Sequence, residues 1–289
     1  MGLISFSRDK FIPSEEVSLN VRGNYLSVTR GYQVFTFFKT TNNGVPVFLD
    51  DHVDRIVGNA QSMQMNLAFS KDEIKSLVCQ TLEKNDFSNT ECNVMIIMAG
   101  KAPDDISGLV SSQEVDLFVV TSPIKKYPKE SYQNGISLGL YEFERIDAEV
   151  KTPYTYYGGM KAHRSLVHEG SFDEVLYTSN KEILEGTTFS FFIVKDNSVI
   201  TTKLDGRILG SVTRKNLLRL MNLHNINHSE SKIKIEDLQT ASEAFIASAN
   251  RDLIPVVSID GHTIGNGKIG PKYEELMKLY QQELLNITI

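Results

Sequence analysis

Two kinds of hydrophobic spacing alternate along the chain and divide it into expected strands and helices. Over 32–39, Val34, Phe35, Phe37 and Phe38 surround Thr36 in an aromatic and β-branched run that predicts a strand. Asn42-Asn43-Gly44 then predicts a hairpin turn, with 45–49 returning as the partner strand. From Asp51 the apolar residues Val53, Ile56, Ala60, Met63 and Leu67 recur at roughly helical spacing, which puts Arg55 on the first turn of a helix. A second helix is expected over 71–84, a buried strand over 92–98 and another strand over 116–121. Strand patterns resume at about 135–142, 174–178, 190–195 and 198–202. Between them, 160–168 reads as helical, with Gly170 able to cap its end. Residues 214–223 form a helix opened by Ser211 or Thr213, and 269–285 contains the last one, with Pro271 near its start.

The order of these elements predicts an α+β chain in two domains. A smaller N-terminal α+β domain covers 1–121, a linker rich in proline and charge covers 122–133, and a larger domain covers 134–289. The linker assignment rests on Pro123, Lys125, Lys126, Pro128, Lys129 and Glu130, a polar stretch between two strand patterns. No internal repeat or low-complexity tract interrupts this organisation.

Composition narrows the function classes only modestly. A net charge of −6 argues against a nucleic-acid partner, whose backbone rewards basic surfaces. Cys79 and Cys92 are the only cysteines, so no disulfide framework is implied and the cytoplasm is the expected compartment. Ser7-Arg8-Asp9-Lys10 precedes any long apolar run, which excludes an ordinary signal peptide, and Phe6 stands where a myristoylation signal after Gly2 wants Ser or Thr. No stretch approaches a membrane span. The six histidines, His52, His163, His168, His224, His228 and His262, lack metal-ligand spacing, and no metal is expected. Gly265-Asn266-Gly267 reads as a turn, not a nucleotide loop.

Candidate chemistry lies in three segments that follow one another: Glu149-Val150-Lys151-Thr152, Ile183-Leu184-Glu185-Gly186-Thr187-Thr188, and Ile208-Leu209-Gly210-Ser211-Val212-Thr213-Arg214. They supply a lysine, an acid and a helix N-terminus with hydroxyls. Each alone has a plainer explanation: a surface lysine, a turn glutamate, an N-cap. Together they match what a pyridoxal phosphate enzyme requires. An amine holds the aldehyde as a Schiff base, a carboxylate keeps the pyridine nitrogen protonated, and backbone N–H groups converge on the phosphate.

The order and context of these segments resemble the class IV aminotransferases, the fold-type IV pyridoxal phosphate enzymes that include branched-chain and D-amino-acid aminotransferases and aminodeoxychorismate lyases. The resemblance extends to Arg30-Gly31-Tyr32-Gln33-Val34-Phe35-Thr36, to Val47-Phe48-Leu49-Asp50-Asp51-His52-Val53-Asp54-Arg55, and to the tail through Ala241-Ser242-Glu243, Pro255-Val256, Ile259-Asp260-Gly261 and Gly267-Lys268-Ile269-Gly270-Pro271. It implies a smaller N-terminal α/β sandwich, a larger C-terminal barrel-like domain and a homodimer. It also implies that pyridoxal 5'-phosphate is carried on Lys151 with Glu185 at the ring nitrogen. Arg55, Ser211, Val212, Thr213 and Ser248 would then contact its phosphate.

Departures from the family pattern bear on the substrate. The Asn-Tyr pair common after the lysine is replaced by Tyr154-Thr155-Tyr156, an expected Asn by Ser190, a phosphate-site threonine by Ala249, and a mid-domain arginine by Ala99. Arg145, Lys161 and Arg30 are alternative receptors for a substrate carboxylate, although each reads first as a surface charge. Thr36 stands where aminotransferases of the class carry Glu and lyases commonly carry Thr, so its hydroxyl is a candidate proton donor. The preferred expectation is an aminotransferase acting on an amino acid and a 2-oxo acid. The alternatives are a 4-amino-4-deoxychorismate lyase releasing pyruvate and a non-catalytic relative that keeps the fold.

Overall fold

Burial alternates along Gln33–Lys39, with Val34, Thr36 and Phe38 inside and Gln33, Phe35 and Phe37 half covered, as a strand with one face on a core requires. That strand belongs to the first of two units in the computed structural model, which describes residues 2–85 and 90–287. The first unit is Met1–Lys125, Val150–Tyr154 and Ile287–Ile289; the second is Lys126–Glu149 and Thr155–Asn286.

The first unit contains β1 (Ile4–Ser7), β2 (Lys10–Pro13), α1 (Tyr25–Arg30), β3 (Gln33–Lys39), α2 (Leu49–Ser62), α3 (Lys71–Glu83), β4 (Cys92–Ala99) and β5 (Asp116–Pro123). The strands form one antiparallel sheet in the order β2-β1-β5-β4-β3, which leaves β3 on an edge. Val53, Ile56 and Ala60 of α2 and Ile74 and Val78 of α3 pack onto Val94, Ile96, Met98 and Val119. A capping box opens α3: the Glu73 N–H donates to Ser70 Oγ at 3.3 Å and the Ser70 N–H donates to Glu73 Oε2 at 2.8 Å. Such a cap stabilises a helix by about 1 kcal/mol.

Three local expectations change here. The returning strand over 45–49 shrinks to one bridge between Thr40 and Pro46, because Pro46 has no N–H to continue a ladder and the helix begins at Leu49. Arg55 therefore lies on the second turn of α2, not the first. Helix α1 was not anticipated; it closes at Gly31, whose φ of 70° is the left-handed geometry that suits glycine.

The second unit runs α4 (Lys129–Asn134), β6 (Ile136–Glu142), α5 (Tyr157–His163), β7 (Glu174–Ser179), β8 (Glu182–Gly186), β9 (Ser190–Lys195), β10 (Ser198–Thr202), α6 (Val212–Leu223), β11 (His228–Ser231), β12 (Ile233–Lys234), β13 (Glu243–Ser248), β14 (Asp252–Ile259), β15 (His262–Thr263) and α7 (Pro271–Asn286). Its sheet order is β11-β10-β9-β13-β14-β6-β7-β8-β12, with β15 paired to β14. The two ends of that order meet: β11 and β12 are separated only by Lys232, and Thr202 Oγ1 on β10 donates to the Ile183 carbonyl on β8 at 3.0 Å. The sheet is thus barrel-like, and closure removes exposed edges. Ile136, Leu138, Leu176, Ile193, Ile246 and Ile254 fill one core. Phe192 stacks on Phe245 at 4.9 Å, and Phe245 in turn meets Tyr273 of α7.

Two expected segments take a different form. In place of one helix over 160–168, α5 starts earlier, and Arg164–His168 winds more widely as a π-turn. A Cβ on Gly170 would meet the Leu166 carbonyl at 2.3 Å, so only glycine fits against that turn. Within 122–133, β5 persists to Pro123 and α4 begins at Lys129. Among the described residues no helix is long and apolar enough to cross a membrane.

Candidate active site

In the first unit, Val150–Tyr154 returns to the open edge of β3 and fixes Lys151 by its backbone. The Phe35 N–H donates to the Lys151 carbonyl at 3.0 Å, and the Lys151 N–H donates to Asn59 Oδ1 at 2.9 Å. Thr152 Oγ1 donates to the Gly31 carbonyl at 3.2 Å. Pro153 favours extended geometry at Thr152 and so prevents a helix from starting sooner. With its main chain tied on both sides, only the lysine side chain is left to swing. Its Nζ sits 4.8 Å from the centre of the Phe35 ring.

Thr36, His52 and Arg55 meet on the buried side of β3. Arg55 Nη2 donates to Thr36 Oγ1 at 2.7 Å, and Thr36 Oγ1 lies 2.8 Å from His52 Nδ1. His52 is fully enclosed, with its ring 4.8 Å from that of Phe38. Burial first, then the charges of Arg55 and Lys151, push its pKa well below the ordinary histidine value, so the ring is neutral near pH 7. Arg55 Nη2 also approaches His52 Nδ1 at 3.5 Å, which favours Nδ1 as an acceptor. The Thr36 hydroxyl thus accepts from Arg55 and passes its own proton towards His52. His52 and Asn59 were missed in the sequence. A lone histidine on an apolar helix face gives no metal spacing, and an asparagine's distant backbone partner leaves no local trace.

In the second unit, Glu185 lies near the end of β8 and is 5% exposed. Its Oε1 accepts the Leu209 N–H at 3.1 Å and a close ion pair from Arg145 Nη2. This corrects the surface reading of Arg145, which is 7% exposed and also donates to the Ala148 carbonyl. Burial disfavours the Arg145 charge, yet Glu185 outweighs it and holds the guanidinium pKa above its usual value. Arg145 is therefore committed to Glu185. Lys161 is exposed, and Arg30 lies over the Tyr25 ring at the end of α1.

Ser211 is the N-cap of α6, its Oγ accepting the Arg214 N–H at 3.3 Å. Val212 and Thr213 open the first turn, whose N–H groups have no intrahelical partner. The Thr213 hydroxyl pairs with that of Tyr280 on α7, leaving its backbone N–H as the group to offer an anion. Helix α6 packs against β13, and Ser248 ends that strand. Ser248 is 5% exposed and its Oγ has no hydrogen-bond partner among the described residues, an arrangement that a buried hydroxyl resists unless something else completes it. A phosphate oxygen would do so. Among the described residues, no cluster of His, Cys, Asp and Glu is placed to hold a metal.

Comparison with known proteins identifies the family. The family model described as amino-transferase class IV matches residues 33–259. The D-alanine aminotransferase of Bacillus licheniformis is 29% identical over 265 residues, covering 90% of this chain and 91% of its own. The branched-chain-amino-acid aminotransferase of Pseudomonas aeruginosa is 25% identical over 248 residues, covering 83% of this chain and 79% of its own. Among solved structures, the T.th. branched-chain amino acid aminotransferase with pyridoxamine 5'-phosphate superposes with a TM-score of 0.88 at 20% identity, covering 98% of this chain and 94% of its own.

Proposed function

This chain belongs to the amino-transferase class IV family, and from that premise we propose that it is a pyridoxal 5'-phosphate-dependent aminotransferase acting on an amino acid and a 2-oxo acid. The observation that carries the reading is the buried Glu185 carboxylate, paired with Arg145 and the Leu209 N–H. A carboxylate desolvated in this way holds a proton on a neighbouring ring nitrogen strongly. Bound at this site, pyridoxal phosphate supplies an aldehyde to take the amino group and a protonated ring to draw electrons from the substrate α-carbon.

The chain's own residues divide the remaining work. Lys151 would hold the cofactor and move the proton at the substrate α-carbon, for which its backbone anchors keep it in register. Arg55 would grip the phosphate with a rigid fork, set in direction by Thr36 and His52. Within the second unit, the first-turn N–H groups of Val212 and Thr213, the Ser211 cap and the Ser248 hydroxyl would offer contacts to a phosphate. A homodimer fits the half-covered Phe35 and Phe37 on the outer face of β3. The two free cysteines suit the cytoplasm.

The test is a pair of half-reactions. An amino donor alone should convert the cofactor's absorption to that of its amine form with release of one 2-oxo acid, and added 2-oxo acid should reverse it. Pyruvate release from aminodeoxychorismate with no amine form accumulating would replace the aminotransferase with the lyase.

A further inference from the structure

With alanine at 99, the first unit lacks the arginine expected to receive a substrate carboxylate, and Arg145 is spent on Glu185. A cavity of about 560 Å³ in the second unit offers another cation. Its walls include Tyr156, Met160, Arg164, Glu174, Thr187 and Arg251. In sequence these follow the candidate-site segments closely: Tyr156 comes after Lys151, Thr187 after Glu185, and Arg251 after Ser248.

Arg251 is held at both ends. Its carbonyl accepts the Tyr132 hydroxyl at 3.0 Å, and its guanidinium lies 4.6 Å from the centre of the Tyr127 ring. Nη1 donates to Glu174 Oε1 at 2.8 Å. Glu174 is almost wholly buried, whereas Arg251 keeps 17% of its side chain exposed, so the pair presents its cationic member outward. Glu174 is also served by the Tyr127 hydroxyl and by Thr187 Oγ1 at 3.3 Å. It does not rely on the arginine alone. A guanidinium carries five N–H donors, and among the described residues only Nη1 finds an acceptor. Arg164 adds a second positive charge to the lining; its partner Glu169 lies outside the cavity wall.

We propose that this cavity receives a carboxylate of the substrate, with Arg251 as its specificity-determining residue. The inference rests on the aminotransferase reading for the word substrate and deepens it. A preoriented guanidinium, stacked and braced before the ligand arrives, gives two parallel hydrogen bonds to a carboxylate at little entropic cost. The chemistry is the same for an α-carboxylate and for an acidic side chain.

Calorimetric binding of two unreactive acids, glutarate and 4-methylvalerate, to the holoenzyme tests it without turnover. Binding of both identifies the α-carboxylate as the group received, and binding of glutarate alone identifies a side-chain carboxylate. Arg251→Gln should weaken binding about tenfold or more, and Arg251→Lys should keep part of it. Because Arg251→Gln leaves Glu174 buried without its cation, the double variant Arg251→Gln with Glu174→Gln removes both charges together and should show the same loss. A wild type that binds neither acid, or variants that bind within about twofold of it, would overturn the proposal. A wild type that binds acid through Arg251 yet exchanges no amino group would instead sink the aminotransferase reading.

Discussion

Replacing Arg145 with methionine isolates the buried ion pair that it makes with Glu185. Both side chains are below a tenth exposed, so water cannot take over when the guanidinium is removed. A buried pair broken on one side leaves an uncompensated charge, at a cost of about 3–5 kcal/mol. The Leu209 N–H at 3.1 Å remains on Glu185 Oε1 and softens the loss, which places the expected value near the lower end, about 3 kcal/mol. Methionine fills similar space with no polar atom, so cavity formation adds little. The chain has no tryptophan, so urea unfolding of the apoprotein is best followed by far-UV circular dichroism. With a slope of about 3 kcal/mol/M, the midpoint should fall by about 1 M. The double variant Arg145→Met with Glu185→Gln should recover most of that stability, because it buries an amide instead of a lone carboxylate. A single variant within about 1 kcal/mol of wild type, or a double variant no more stable than the single, would refute the view that Arg145 compensates Glu185.

Other expectations are narrower. Borohydride reduction and peptide mapping should place the cofactor on the Lys151 peptide, and a label on Lys161 would contradict the assignment. Glu185→Gln should retain cofactor while slowing α-proton removal about 100-fold, since an amide cannot hold the ring-nitrogen proton; unchanged turnover would make Glu185 structural. Between its low folded-state pKa and about 6.5, His52 takes a proton only in the unfolded chain. That part of the stability should therefore be complete above about pH 6.5 and decline as pH falls below it, a slope His52→Gln should lose; parallel pH profiles would count against it. Thr36→Val should weaken pyridoxal phosphate binding to the apoprotein about tenfold, the loss of one charged hydrogen bond, with kcat at saturating cofactor largely kept. The reverse pattern would favour a proton-donor role.

What the sequence revealed follows from the range over which each signal acts. Strands β6, β7, β9 and β10 and helices α2, α3, α6 and α7 were visible because each repeats its own period over several residues, whereas β8, β13 and β14 were not read as strands. Short β11, β12 and β15 carry too few residues for a period, and they exist because neighbouring strands supply hydrogen-bond partners. Helix α1 has polar Ser27 and Thr29 among its six residues, and its C-terminal glycine belonged equally to the strand motif after it. Lys151, Glu185 and Ser211 were singled out as candidates by their order along the chain. Asn59, which holds the Lys151 backbone, and Arg145, which pairs with Glu185, act across long sequence separations. Nothing local marks an arginine as buried, and its default is the surface.

The contacts of Thr36 bear on reaction type. Its hydroxyl is wholly buried and bonded twice, accepting from Arg55 at 2.7 Å and facing His52 Nδ1 at 2.8 Å. To protonate a departing substrate fragment it would have to leave that hydrogen bond. His52 could not resupply the proton readily, because burial and two nearby cations keep its ring neutral. A general acid works best when its reservoir titrates near the working pH, and this reservoir is displaced to the wrong side of it. The same bonds suit a positioning role, in which a neutral histidine fixes the threonine rotamer and the threonine fixes one nitrogen of the arginine fork. A threonine at this place, suggestive of a lyase when read alone, is then equally compatible with an aminotransferase whose phosphate grip is set through Arg55.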